Sequence, residues 1–172
     1  MHVDRCRVQE PMTDTAPSVE GMNKLTPFLW FDDDLEQALD FYTGIFPDSE
    51  VLERRDYGGQ VFVARFRIAG QEVSAMNAGP GHPHTDAFSF WIDCADQAEV
   101  DRYWEALLAD GGKESMCDWL SDRFGVWWQV VPRRLNELLT DPDPARAKRA
   151  MDEMMTQVKL DVAALERAAD GA

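Results

Sequence analysis

The chain contains the same series of hydrophobic patterns twice. Residues 24–78 carry the signals of a strand, a helix and three further strands, and residues 87–132 carry the same signals in the same order, with little identity between the copies. The segment GPGHPH at 79–84 separates them and breaks regular structure. The repeat therefore predicts an α+β fold made of two tandem βαβββ modules.

The individual elements follow from periodicity and from turn residues. Three aspartates at 32–34 favour the start of a helix whose apolar residues recur three and four positions apart, and Pro47 ends that helix. Alternation in the third strand predicts that one apolar set shares a face: Phe62, Ala64, Phe66 and Ile68. The predicted strands are 24–31, 50–57, 60–68, 71–78, 87–93, 113–117, 119–122 and 126–132, and the predicted module helices are 35–46 and 95–110.

Composition divides the chain into three parts. Residues 1–22 are polar and show no period, which predicts a disordered N-terminal extension. Residues 23–133 hold the two modules, 23–79 and 86–133. Residues 134–172 predict a helical tail with helices at 135–139, 144–158 and 162–169, of which Asp143 and Asp161 cap the last two.

Charge and cysteine content exclude several classes of protein. The formal net charge is −15, and the 17 basic residues are scattered, with adjacent pairs only at 54–55, 133–134 and 148–149, so we expect no nucleic-acid partner. There is no apolar stretch long enough to span a bilayer and no signal-like segment, which predicts a cytoplasmic protein without a membrane partner. Three cysteines, Cys6, Cys94 and Cys117, have no CxxC spacing and do not indicate a disulfide framework.

Several motifs resemble one superfamily. TPFLWF at 26–31, FYxxIFP at 41–47 and WxxDxFGVxWQVVP at 119–132 are similar to the vicinal oxygen chelate superfamily, which contains glyoxalases, bleomycin-resistance proteins and extradiol dioxygenases. The chain is most similar to its PhnB-like branch, whose members are often labelled 3-demethylubiquinone-9 3-methyltransferase. The resemblance runs from about residue 24 to 168 and implies that the modules form curved half-sheets around a cleft.

The resemblance also locates the positions of a metal site. Metal-dependent members place a His or Glu ligand on the first and last strand of each module. Here those positions fall near Thr26, Met76 or Ser74, Ala87 and Gln129. Because none is a histidine or a carboxylate, and a divalent ion needs three or four good ligands, we expect no metal and no cofactor.

Other residues that could carry chemistry have plainer interpretations. His82 and His84 supply two ligands on a Gly/Pro segment and are interpreted as an exposed linker, although a metal enzyme using them stays an alternative. Cys117 lacks an evident basic partner apart from nearby Lys113 and Arg123, which favours an inert thiol over a nucleophile. The strand-to-helix glycine turn that holds S-adenosylmethionine is not found in the sequence.

The aromatic residues carry the functional hypothesis, because aromatic walls with a few polar groups suit a planar or apolar ligand. The predicted ligand-binding residues are Phe28, Trp30, Asn77, Ser89, Trp91, Cys117, Trp119, Trp127 and Gln129, and catalytic residues are unknown. The sequence predicts a protein that binds or transforms a small apolar, aromatic or quinone-like molecule without the superfamily metal. The alternatives are a sequestering, drug-resistance-type binding module and the methyltransferase of the family label.

The tail bears on assembly. Vicinal oxygen chelate proteins commonly pair, because each half-sheet has an open edge and an apolar concave face. The tail adds apolar stripes that need a surface to cover: Met151, Met154, Met155, Val158, Val162 and Leu165. We therefore expect a homodimer in which the tail packs against or across the partner.

Overall fold

The computed structural model describes residues 24–172, so the extension predicted at 1–22 lies outside the described residues. The strands are β1 (Phe28–Phe31), β2 (Glu50–Tyr57), β3 (Gln60–Ile68), β4 (Gln71–Asn77), β5 (Phe90–Cys94), β6 (Lys113–Glu114), β7 (Trp119–Ser121) and β8 (Trp127–Pro132). The helices are α1 (Leu35–Ile45), α2 (Gln97–Leu108), α3 (Arg133–Leu139), α4 (Pro144–Met154) and α5 (Val162–Asp170). None of these helices is long and apolar enough to cross a membrane.

The repeat predicted from the sequence is confirmed by the sheet topology. The first sheet has the strand order β1-β4-β3-β2, and the second has the order β5-β8-β7-β6, so corresponding strands occupy corresponding places. In each sheet the first strand runs parallel to the last strand of its module. Trp30 pairs with Met76 in the first sheet, and Trp91 pairs with Gln129 in the second, which makes these two pairs equivalent.

One core lies against one face of both sheets. Alternate residues of β1, such as Leu29 and Phe31, are buried together with the apolar stripe of α1, and the same core contains Leu107 of α2 and Trp128 of β8. The period of 3.6 in the helices and of two in the strands produces this arrangement, because each element turns one apolar side toward the others. The opposite face of each sheet is left uncovered by this core.

A buried carboxylate joins the two modules. Asp122 accepts hydrogen bonds from Tyr42 Oη of α1 at 2.8 Å and from Trp128 Nε1 at 2.9 Å. The backbone N–H groups of Phe124 and Val126 donate to its other oxygen at 2.9 and 3.0 Å. Burial raises the pKa of Asp122, and the four donors oppose that rise by stabilising the carboxylate.

The predicted alternation in β3 is wrong at one position. Ala64, Phe66 and Ile68 are buried as expected, but Phe62 is exposed and Val61 takes its place in the core. The cause is a register shift, since Arg55 pairs with Val63 whereas Asp56 pairs with Val61. β3 therefore has one extra residue, Phe62, opposite β2, and the side chains before it point to the opposite faces from those that strict alternation predicts.

The tail forms a second core within the same chain. Its buried residues are Val131, Leu135, Leu138, Ala150, Leu160, Leu165 and Ala169. Leu165 was expected to need a partner surface, but α5 packs it against the other tail helices instead. Met151, Met155 and Val158 are the stripe residues that stay exposed, so the tail gives a weaker reason for dimerisation than the sequence suggested.

Candidate ligand-binding face

The uncovered face of the second sheet is aromatic. Trp91 of β5 and Trp119 of β7 both pair in register with Gln129 of β8, so the three side chains form a row across three adjacent strands on one face. Trp127 lies beside the row, with its ring centroid 6.4 Å from that of Trp119 in an edge-to-face arrangement. Trp91 is 51% exposed, although it is a large apolar side chain.

The centre of the row is polar. Gln129 Nε2 donates to Ser89 Oγ at 2.8 Å, which fixes the plane of the amide. Within residues 24–172 no hydrogen bond to the side-chain oxygen Oε1 of Gln129 is formed, so Oε1 can accept a bond from a ligand. We call the five residues Ser89, Trp91, Trp119, Trp127 and Gln129 the aromatic face.

Two cavities adjoin the aromatic face. Ser89 and Trp91 line one cavity of about 460 Å³, which extends along β5 to Tyr103 of α2. Trp127 and Phe28 line another of about 460 Å³ beside the free edge of β1. Phe28 is 57% exposed, and Phe88 lines both cavities. Of the predicted ligand-binding residues, Ser89 and Trp91 line the first cavity and Phe28 and Trp127 line the second. Trp30 lines a third cavity, and Trp119 and Gln129 line none of the three.

Trp30 has a different environment from its counterpart Trp91. Its Nε1 donates to the carbonyl oxygen of Gly79 at 2.8 Å, and the ring of His82 lies over its indole with a centroid distance of 4.1 Å. The linker between the modules therefore covers the surface of Trp30 that a ligand would use, and Trp30 acts here as an anchor for the linker.

Two further predicted residues are engaged elsewhere. Asn77 pairs in register with the buried Phe31, and its amide accepts from Leu35 N at 3.0 Å and donates to Val61 O at 2.8 Å. It holds the start of α1 and lies on the core side of the first sheet. Cys117 lies under the tail, with its Sγ 3.6 Å from the carbonyl oxygen of Met154, and burial raises the pKa of its thiol.

The residues present do not fit a divalent metal. At the positions implied by the resemblance, the side chains of Met76 and Ala87 offer no oxygen or nitrogen, Thr26 and Ser74 offer only neutral hydroxyls, and Gln129 offers one weak amide oxygen. His84 was expected in an exposed linker, but it is half-buried with its ring 5.6 Å from that of Phe31. Across residues 24–172, no group of three His, Cys, Asp or Glu side chains could hold a metal ion.

The uncovered face of the first sheet is charged over β2, β3 and the start of β4, whereas Phe28, Trp30 and Met76 lie on its β1 side. Arg65 and Arg67 of β3 both contact Glu72 of β4, at 3.3 and 3.8 Å. Glu53 lies 3.8 Å from Arg65, and Glu50 lies 2.5 Å from Arg67. These five residues form a continuous chain of alternating charges, which we call the charged face.

Sequence reasoning missed two buried carboxylates near the aromatic face. Asp122 joins the modules, and Asp118 immediately precedes Trp119 and is 0% exposed. The sequence carries no signal for either role, because an aspartate next to a strand is more often solvated than buried.

Comparisons with known proteins agree with the fold. The family model described as 3-demethylubiquinone-9 3-methyltransferase matches residues 23–131. A similar solved structure is the putative 3-demethylubiquinone-9 3-methyltransferase, PhnB protein, from Bacillus cereus, at 31% identity and a TM-score of 0.57, covering 62% of this chain and 97% of that chain. Among curated proteins, none matches.

Two other solved structures are less similar. Protein PA1353 from Pseudomonas aeruginosa has 23% identity and a TM-score of 0.48, covering 62% of this chain and 95% of that chain. The fosfomycin resistance protein FosX from Listeria monocytogenes has 19% identity and a TM-score of 0.45, covering 62% of this chain and 88% of that chain.

The family match ends before the tail. Resemblance was expected as far as residue 168, but the matched region stops at 131 and leaves α3, α4 and α5 outside. Both modules lie within it, and PhnB proteins are members of the vicinal oxygen chelate superfamily. The chain therefore belongs to the PhnB-like 3-demethylubiquinone-9 3-methyltransferase family of the vicinal oxygen chelate superfamily.

Proposed function

We propose that this protein binds a small, flat, largely apolar molecule, aromatic or quinone-like, on its aromatic face and without the superfamily metal. The observation that carries the proposal is the row of Trp91, Gln129 and Trp119 across three strands. Two indoles that flank one amide offer stacking surface together with a single oriented polar group, which is the usual composition of a site for a planar ligand. The quinone in the family description is a molecule of this shape.

The chemistry of the aromatic face favours binding over turnover. Its polar groups are an amide and a hydroxyl that bond to each other, and neither is a general acid or base. The nearest carboxylate on β5, Asp93, is paired with Arg133 at 2.7 Å. Sequestration of a ligand without reaction is therefore the second candidate function, and it uses the same residues.

Methyl transfer has less support. S-adenosylmethionine is usually held where a strand turns through glycines into a helix of a doubly wound sheet. Here Gly79 and Gly81 have positive φ values of 84° and 102°, and the next helix, α2, begins only at Gln97, after β5. The residues present do not fit this cofactor, so no methyl-transfer step follows from them.

A second copy of the chain would complete the site. Large apolar side chains stay exposed beside the free edges of β1 and β5, including Phe28, Phe88 and Trp91. A ligand on one open sheet would keep one side in water, whereas a second copy would cover it and bury these residues. We propose a homodimer that works in the cytoplasm, where the free thiols of Cys94 and Cys117 would stay reduced.

Quenching of intrinsic tryptophan fluorescence by hydroxymethylanthraquinone tests the binding proposal. This planar quinone is neutral and does not add to thiols. We expect saturable quenching in the wild type, and in Trp91→Ala an affinity weaker by about 1 kcal/mol or more, the scale of one lost aromatic contact. The matched control is Tyr57→Ala, which removes an aromatic side chain that is 81% exposed on the β2–β3 turn. Unchanged affinity in a folded Trp91→Ala protein would refute the site.

Sedimentation of the full-length chain at micromolar concentration tests the assembly. We expect a dimer for the wild type and a monomer for Phe28→Asp, which places a charge at the exposed edge of β1. A wild-type monomer would refute the homodimer. Incubating the purified protein with a quinol and S-adenosylmethionine tests turnover separately, and formation of a methylated product would overturn the preference for binding.

A further inference from the structure

Asp118 is buried between the second sheet and the tail. Its side chain is 0% exposed, and its Oδ1 accepts a hydrogen bond from Leu160 N at 2.7 Å. Its own N–H donates to Val158 O at 2.8 Å, and its carbonyl oxygen accepts from Val130 N of β8 at 3.0 Å. Asp118 thus connects β8, an inner strand of the sheet, to the segment between α4 and α5.

The neighbouring residue extends this connection. Cys117 N donates to Gln157 O at 2.9 Å, one bond further along the same segment. Cys117 and Asp118 have φ values of 59° and 62°, a left-handed conformation that costs energy in residues other than glycine and needs surrounding contacts to hold it. We call Cys117, Asp118 and the segment 157–160 the tail clasp.

The tail clasp lies next to the aromatic face. Trp119 follows Asp118 directly, and its carbonyl oxygen accepts from Ser115 N at 2.8 Å, which closes the loop that leads into β7. A change in the backbone at Asp118 therefore acts on Trp119 through one peptide bond. The other two tryptophans of the aromatic face lie on β5 and β8 and are not adjacent to Asp118 in the chain.

Asp118 has an unusual electrostatic environment. Its Oδ2 is buried and has no hydrogen-bond partner among residues 24–172. Burial raises the pKa of this carboxyl to about 7, while the Leu160 N–H and the charge of Lys159 oppose the rise. Lys159 is paired with Asp101 of α2 at 2.6 Å, and the other titratable neighbours are the thiols of Cys117 and of Cys94 on β5.

We propose that Asp118 is a positioning residue whose proton keeps the tail clasp closed and thereby holds Trp119 in place for ligand binding. The effect on ligand binding rests on the proposed function of the aromatic face. When the carboxyl is charged, hydration of its unpartnered oxygen lowers the free energy of the open state, in which the loop and the tail segment separate. The tail lies outside the family match, so the device depends on a part of this chain that the family model does not contain.

The direction of the pH dependence follows from proton linkage. The closed clasp holds the proton up to pH values near 7, whereas an opened, solvated Asp118 loses it near its ordinary value of 3.8. Between these values opening releases a proton, so the closed state becomes less stable as the pH rises. Above about 7 both states are charged and the dependence levels off.

Amide hydrogen exchange of the segment 157–160 in the full-length protein tests the clasp without any ligand. After correction for the intrinsic rate, we expect protection to fall by up to about tenfold per pH unit between about pH 5 and about pH 7, and then to level off. In Asp118→Asn, which is isosteric and carries no titrating proton, we expect no such fall. The matched control is Asp101→Asn, which removes a carboxylate that contacts the same segment and should keep the wild-type profile.

The affinity for hydroxymethylanthraquinone, measured over the same pH range, tests the coupling. In the wild type and in Asp101→Asn we expect affinity to fall by up to about tenfold between about pH 6 and about pH 8, following the protonated fraction of a group with a pKa near 7. In the exchange experiment, the proposal is overturned if protection of the segment 157–160 still falls with pH in Asp118→Asn, or if it does not fall with pH in the wild type. If the affinity of the wild type does not change with pH, the coupling between Asp118 and ligand binding is wrong. If no binding occurs at any pH, the proposed function is refuted, and hydrogen exchange alone then tests whether the proton of Asp118 closes the tail clasp.

Discussion

The two modules share their strand order and differ on the faces that the chain leaves uncovered. In the first module that face has the ion-paired residues Arg65, Arg67 and Glu72 at its centre and Phe28 and Trp30 on its edge strand. In the second module the face is aromatic, with Trp91 and Trp119 around an amide. The helix-facing sides are apolar in both, because they share one core. The comparison shows that the core constrains one side of each strand, and the other side could diverge for function.

The modules also differ in strand length, which explains the role of the tail. β2 (Glu50–Tyr57) and β3 (Gln60–Ile68) form a long hairpin, whereas their counterparts β6 and β7 have two and three residues. A short edge makes few ladder hydrogen bonds and is weakly held by its own sheet. The tail clasp supplies the missing bonds to the second sheet, so the module that carries the aromatic face is also the one that needs external support.

The largest effect is expected where the modules meet. Asp122→Ala removes the acceptor of four hydrogen bonds and leaves buried donors on Tyr42 and Trp128 without a partner, so we expect unfolding free energy to fall by about 3 kcal/mol or more. Chemical denaturation measures the change. Asp110→Asn is the control, since Asp110 forms only an exposed pair with Arg123 and should cost less than about 0.5 kcal/mol. A loss below about 1 kcal/mol for Asp122→Ala would show that apolar packing alone joins the modules.

The second prediction concerns the end of the helix in the aromatic module. A Cβ added at Gly112 would lie 2.5 Å from Leu108 Cα and 2.8 Å from Leu107 O, so the backbone must shift. We expect Gly112→Ala to lower the unfolding free energy by about 2 kcal/mol, as is usual for overpacking. A melting temperature equal to that of the wild type would mean that the end of α2 is looser than its contacts indicate.

A smaller effect should separate the two uncovered faces. Glu72→Gln leaves Arg65 and Arg67 without their shared carboxylate on a side chain that is 12% exposed, and we expect a loss of about 1 kcal/mol in unfolding free energy. Quinone affinity should be unchanged, because the aromatic face belongs to the other sheet. If affinity fell together with stability, the charged face would contribute to the ligand site and the division between the modules would be wrong.

The smallest change should have the opposite sign. Gly44 lies inside α1, and a Cβ added there meets nothing within 4 Å. Gly44→Ala should raise the unfolding free energy by about 0.5–1 kcal/mol, because alanine loses less backbone freedom than glycine in a helix. Thermal denaturation beside Gly112→Ala provides the matched comparison. A destabilised Gly44→Ala protein would indicate that a partner covers this exposed part of α1.

The sequence predicted the elements with strong periodicity and missed those decided by pairing. The bounds of β2 and β3 were predicted correctly, and α1 was placed to within a residue at its C-terminal end, because alternation, the helix period and glycine or proline breaks mark them. The reversal at Phe62 was missed, since a bulge depends on the partner strand. The helix predicted at 144–158 ends at Met154, where the segment 157–160 is bonded to Cys117 and Asp118 instead.

The candidate site divides in the same way. Alternation placed Trp91 on a face with Ser89 and Trp127 on a face with Gln129, and only the strand register puts Trp91, Trp119 and Gln129 in one row. Asn77 and Cys117 were included from their positions along the chain, but their side chains turn toward α1 and the tail. No pattern in the sequence distinguishes a strand-end amide that binds a ligand from one that holds a helix.

What the sequence determined by itself is the repeated order of strands and helices, the family, and the residue types that exclude the superfamily's metal ligands. These depend on local period and on chemistry that each residue carries alone. Only the tertiary structure decided that Asp118 and Asp122 are buried, because their environment comes from residues up to 80 positions away, as between Tyr42 and Asp122. Burial raises the pKa of both carboxyls through the loss of water, and that loss exists only after the chain has folded.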